Sequence, residues 1–169
     1  MKHLVLVALA LSFFALSAPA QVLRVGQPAP QFTGTDLNGN GYDLSQMKGK
    51  VVVVTFWSTR CLICKSELPK VNQMIQSYAG KDDVIFLAVT PEDDSKVEPY
   101  LKKNPQAAHV IPQGFGILLA YADKDAAGNL NFGYPAFYVI DKRGRLAYKG
   151  NGWDRVGSLS SAINGVLGE

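Results

Sequence analysis

The hydrophobic positions of this chain fall into a few dense blocks set between polar, glycine- and proline-bearing stretches. Val51 to Val54 are four consecutive valines, and Val84-Ile85-Phe86-Leu87-Ala88-Val89 is a second unbroken apolar run of strand length. Continuous rather than alternating apolar runs suit strands covered on both faces, so they predict neighbouring parallel strands inside a sheet. Between them the period changes. Leu68, Val71, Ile75 and Tyr78 recur at three- and four-residue spacing, which predicts a helix from about Leu62 to Tyr78, kinked at Pro69 and closed by Gly80. Strand, helix and parallel strand make a right-handed crossover.

The flanks extend this pattern. Gly26 to Phe32 is a proline-stiffened, extended lead-in, and Asp36 to Leu44 reads as a hairpin in which Asn-Gly supplies the positive φ of the turn. A short helical turn is expected over Ser45 to Gly49. Beyond the second strand, Asp93 or Asp94 can cap a helix reaching about Lys103, although Pro99 interrupts its pattern. Val110-Ile111 suits a short edge strand, Phe115 to Ala122 a helix, and Asp123 to Asn131 a polar loop. Tyr134 to Ile140, opened by Pro135, and Arg145 to Lys149 form a hairpin around Asp141 to Gly144. Asp154 is expected to cap a last amphipathic helix carrying Val156, Leu159, Ile163 and Val166.

Composition bounds the chain without distinguishing it. At 169 residues, 47% apolar and 18% charged, it has the make-up of one globular domain, and no repeat or low-complexity tract divides it. The apolar run Leu4 to Leu16 behind Lys2, followed by Ala18-Pro19-Ala20, has the form of an export signal over residues 1–20, cleaved after Ala20. The run is shorter than the ~20 residues of a spanning helix, and an uncleaved anchor is the alternative. Residues 21–169 are then the domain, in the periplasm or secreted. Loss of Lys2 lowers the net charge from +3 to about +2, and with no basic run nucleic acid is not an expected partner.

Both cysteines stand in Cys61-Leu62-Ile63-Cys64, where the valine strand gives way to the helix. The first turn of a helix offers unpaired N–H groups and the positive end of its dipole, which stabilise a thiolate. A free cysteine titrates near ~8.5, and pairs in this setting fall below that. Cys61 is the candidate attacking thiol and Cys64 the resolving one. Two plainer readings compete. Zinc usually takes four ligands, and beyond the signal the chain offers one histidine, His109, and no second cysteine pair. A structural disulfide closing so short a loop removes little unfolded-chain entropy.

The order of elements, Trp57-x-x-x-Cys61-x-x-Cys64, the helix proline Pro69 and the late Tyr134-Pro135 together resemble the thioredoxin superfamily, and within it the TlpA/ResA-type exported thiol-disulfide oxidoreductases. The resemblance spans about Gly26 to Leu167. It implies a three-layer α/β/α thioredoxin fold with a four- or five-stranded mixed sheet, an N-terminal hairpin extension and a central insertion. It also implies that Pro135 is cis and faces the cysteines, leaving the backbone of Tyr134 to pair with an extended substrate beside Trp57. Glu67 matches the acid of the group's Cys-x-x-Cys-x-x-Glu-x-Pro pattern and could move the proton of Cys64. Thr55 stands where thioredoxin has its buried aspartate.

Two positions depart from the group: Arg60 replaces a tryptophan and Ile63 a proline. A guanidinium beside Cys61 should favour its thiolate and make the disulfide more oxidising. The resemblance implies a monomeric enzyme with no cofactor or metal beyond the redox-active Cys61–Cys64 disulfide. Its expected partners are protein thiols and disulfides, apocytochrome c among them, with a membrane thiol-reducing transporter as electron donor. An oxidase or isomerase is the first rival. A peroxiredoxin is disfavoured because no proline and threonine stand at the required place before Cys61. A Sco-type copper chaperone would have to recruit His109, and its cysteines are spaced one residue wider.

Overall fold

A computed structural model describes residues 21–168; the expected export signal lies outside the described residues. The valine run becomes β3 (Val51–Phe56), and its parallel neighbour is β4 (Val84–Val89), with Val51 opposite Val84 and Phe56 opposite Val89. β5 (His109–Ile111) extends the parallel part at one edge. On the other side β8 (Ala136–Ile140) runs antiparallel to β3, and β9 (Leu146–Asn151) closes the sheet. The order is β5-β4-β3-β8-β9, a five-stranded mixed sheet. The N-terminal hairpin is separate: β1 (Thr33–Thr35) pairs with β2 (Gly41–Asp43) across a turn in which Gly39 has φ +83°.

The alternation of side chains along each strand sorts the core into two faces. Val51 and Val53 of β3, Phe86 of β4 and Phe137 and Val139 of β8 meet Met74 of α1 (Leu62–Gln76) and Leu159, Ile163 and Val166 of α4 (Val156–Leu167). Val52, Val54, Phe56, Leu87 and Tyr138 face the other way, against Ile117, Leu118 and Tyr121 of α3 (Phe115–Tyr121) and against Ala29 and Phe32 of the lead-in. Val97 of α2 (Asp94–Leu101) packs with Ala88 and Val110 beneath Trp57. The continuous valine run is thus buried on both sides, as two covered faces require. Among the described residues no helix is long and apolar enough to cross a membrane.

Several local expectations change. Pro69 lies inside α1, as expected, and α2 continues past Pro99 rather than breaking there. Asp123 to Asn131 is not a plain loop: β6 (Asp123–Lys124) pairs with β7 (Leu130–Asn131), because Asp125 accepts the N–H groups of Ala127 and Asn129 and Gly128 adopts φ +83°. Asp154 does not cap α4. It adopts φ 55°, Arg155 holds the cap position without a side-chain hydrogen bond, and the backbone N–H of Asp154 turns towards α1 instead. Ser77 rather than Gly80 caps α1; Gly80, with φ +82°, turns the chain that follows.

Candidate active site

β3 delivers the site. Its last residue, Phe56, pairs with Ala136 at the start of β8, which sets Trp57 and Pro135 next to one another at the same end of the sheet. Trp57 is buried and anchored by its N–H on the Val89 carbonyl. A tight turn over Ser58-Thr59-Arg60 follows, closed by the Cys61 N–H on the Ser58 carbonyl. Cys61 then caps α1: its sulfur accepts the N–H of Cys64 at 3.0 Å. The two sulfurs form a disulfide. Cys61 is half-buried and Cys64 buried, while Leu62, at 82% exposure, and Ile63, at 40%, face solvent between them. A partner can therefore reach the outer sulfur first.

Opposite the pair, the Tyr134–Pro135 peptide is cis. Pro135 lines a mostly apolar cavity of about 30 Å³ together with Thr55, Trp57, Cys64, Glu67 and Tyr100. The indole Nε1 of Trp57 is buried without a hydrogen-bond partner among the described residues. Tyr100 stacks on Trp57 with ring centroids 5.4 Å apart, and burial, then the charge of Glu92, pushes its phenol above its ordinary pKa.

Glu67 is 1% exposed, so it is no solvated helix-face acid. One carboxylate oxygen accepts the Asp154 N–H at 3.1 Å and the other the Lys70 ammonium at 3.3 Å. Lys70 in turn lies 3.7 Å from the Asp154 carboxylate and 5.4 Å from the centroid of the exposed Trp153 ring. The Gly152 N–H donates to the Pro135 carbonyl at 2.8 Å. The 152–154 loop thus ties Glu67 to the proline opposite the cysteines, which the sequence, with Asp154 read as a cap, did not reveal.

The Arg60 side chain is 91% exposed, and its Nε lies 3.9 Å from the carboxylate of Glu92. Glu92 itself escaped sequence reasoning, which singled out only Asp93 and Asp94 as helix caps. Asp93 alone caps α2, through the Lys96 N–H, and Glu92 points inward. It accepts the Thr59 N–H at 2.7 Å, the Thr59 hydroxyl at 2.8 Å, the Ser58 hydroxyl at 3.2 Å and the Thr90 hydroxyl at 3.3 Å. Burial would raise its pKa, but the donors from Thr59, Ser58 and Thr90 outweigh that and hold it below the ordinary value. His109 sits on β5 with its Nδ1 3.5 Å from Asp36 and its ring against Tyr42. Among the described residues no group of three or more His, Cys, Asp or Glu side chains could hold a metal ion.

A Cys-x-x-Cys disulfide at a helix N-terminus, set against a cis-proline at the end of a five-stranded mixed sheet, defines a thioredoxin-fold thiol-disulfide oxidoreductase. The chain belongs to the AhpC/TSA family, whose model matches residues 25–149. Among relatives, the thiol-disulfide oxidoreductase YkuV of Bacillus subtilis is 30% identical over 149 residues, covering 87% of this chain and 99% of its own length. The thiol-disulfide oxidoreductase ResA of Bacillus cereus is 31% identical over 133 residues, covering 78% of this chain and 72% of its own. A thiol:disulfide interchange protein of the thioredoxin family from Chlorobium tepidum shares the fold, with a TM-score of 0.68 at 23% identity over 87% of this chain and 99% of that one.

Proposed function

We propose that the protein is exported and reduces disulfides in other proteins, apocytochrome c among them, with electrons supplied by a membrane thiol-reducing transporter. The Cys61 thiolate attacks a substrate disulfide and expels one substrate thiolate, forming a mixed disulfide. Cys64 then gives up its proton and attacks the Cys61 sulfur. The second substrate thiol leaves, and the enzyme disulfide forms with two electrons delivered. The observation that carries this reading is the unequal burial of the two cysteines at the start of α1, Cys61 half-buried and Cys64 buried and lining a cavity with Glu67. Glu67 is the group placed to take the Cys64 proton, and Tyr134, Pro135 and Trp57 are the surface on which an extended substrate segment rests.

The reductive direction rests on the family resemblance and gains support from the carboxylate of Glu92, which stands against the Arg60 guanidinium that would favour an oxidant. Titration of the mature protein against defined thiol-disulfide buffers tests it. A potential near −270 mV or lower is the expected result; one above about −180 mV makes the protein an oxidase or isomerase. Cys61→Ser is expected to abolish reduction of a protein disulfide, and Cys64→Ser to accumulate mixed disulfides visible on non-reducing gels. Unchanged turnover in both variants removes the mechanism. N-terminal sequencing of protein recovered from outside the cytoplasm is expected to begin at Gln21.

A further inference from the structure

The loop between β4 and α2 brings Glu92 back across 33 residues of chain to Thr59, in the turn that delivers Cys61. A helix-capping role does not explain its burial, because Asp93 performs that task from an exposed position. Among the described residues the Glu92 carboxylate accepts hydrogen bonds from Ser58, Thr59 and Thr90, so it locks the end of β4 to the turn before the nucleophile. Its charge is also felt across the site. The phenols of Tyr100, stacked on Trp57, and of Tyr134, next to Pro135, are pushed up by burial first and by Glu92 second. Among the described residues the cation paired with Glu92 is Arg60, which is 91% exposed and offsets it only in part.

We propose that Glu92 is a positioning residue for Cys61 that also biases the direction of exchange: it fixes the 58–60 turn, and its buried charge opposes the thiolate that Cys61 carries when the disulfide is reduced. This rests on Cys61 being the attacking thiol. When a dithiol partner reduces the protein, its first thiolate attacks Cys61 and Cys64 leaves as a thiolate that takes up a proton. The partner's second thiolate then attacks the partner sulfur of the mixed disulfide, and Cys61 leaves as a thiolate. Two electrons have moved, and the partner is now the disulfide. A fixed negative charge near Cys61 makes that last state less favourable and so makes the protein the stronger reductant.

The test is Glu92→Gln, which keeps the shape and removes the charge, with Glu92→Asp as the conservative partner. The equilibrium with reduced and oxidised glutathione is measured, together with the rate at which iodoacetamide alkylates Cys61 in the Cys64→Ser background. Glu92→Gln is expected to favour the reduced form about tenfold, about 30 mV upward, and to speed alkylation several-fold, with Glu92→Asp returning both towards wild type. Values within twofold of wild type, or a shift to the reducing side, overturn the proposal. Should Glu92→Gln not fold, Glu92→Asp alone decides: a shift of the equilibrium towards the reduced form with faster alkylation is expected, and no shift overturns the proposal. These outcomes are separate from the underlying mechanism, which fails only if Cys61→Ser and Cys64→Ser both keep full turnover.

Discussion

At the scale of single residues, the proton-transfer question turns on Glu67 and Thr55. Thr55 lines the cavity beside Cys64 but cannot titrate usefully, whereas Glu67 reaches the same cavity from α1 with a carboxylate. Glu67→Gln is expected to slow release of the mixed disulfide by about a hundredfold, within the range of general acid–base catalysis, while leaving its formation nearly unchanged; stopped-flow quenching of the intermediate separates the two steps. A second residue-scale expectation concerns Asp36. Burial alone would raise its pKa, but the Asn40 side chain and backbone, the Asn38 N–H and the Tyr42 hydroxyl outweigh that and lower it from 3.8 to about 2. A depressed folded-state value adds stability that is complete above the unfolded value and is lost as pH falls through the folded one. Resistance to urea should therefore fall between about pH 4 and 2, and Asp36→Asn should remove that part of the slope.

At the scale of elements, α4 and α3 hold the two faces of the sheet in different ways. Ile163 is fully buried between α4 and β3, β8 and α1, so Ile163→Ala is expected to cost about 2–5 kcal/mol in chemical denaturation while the disulfide potential stays unchanged. Gly114, which precedes α3, works by absence of a side chain. A Cβ there would stand 2.3 Å from Cγ1 of the fully buried Val89 and 3.3 Å from the Thr90 carbonyl. Gly114→Ala is expected to destabilise by about 1–3 kcal/mol. Because Thr90 also donates to Glu92, the same change should disturb alkylation of Cys61, which Ile163→Ala should not.

At the scale of the whole molecule, the proposed reductive direction links redox state to stability. If the disulfide is strongly favoured, the oxidised protein is expected to unfold at higher denaturant than the reduced one, and Glu92→Gln to narrow the gap; a reduced form more stable than the oxidised would instead mark an oxidant. Much of the molecule was legible in advance because its signals are local. Four valines in a row, a helical period after Cys64, Tyr134-Pro135 and a paired Cys-x-x-Cys fix strand, helix and chemistry within a few residues of chain, and burial of both sheet faces follows from the continuous apolar runs. The positions of Asp154, Glu92 and Arg60 were not legible, because each depends on a contact across tens of residues. Asp154 looks like a helix cap until the 152–154 loop meets Pro135 and Glu67; Glu92 looks like surface acid until β4 brings it under the Thr59 turn; Arg60 looks like a free charge beside Cys61 until Glu92 arrives. The sequence by itself determined which residues carry the sulfur chemistry and which elements present them, since propensity and periodicity act between near neighbours. Only the tertiary structure decided the charges around those sulfurs, since electrostatic partners are set by distance in space rather than along the chain.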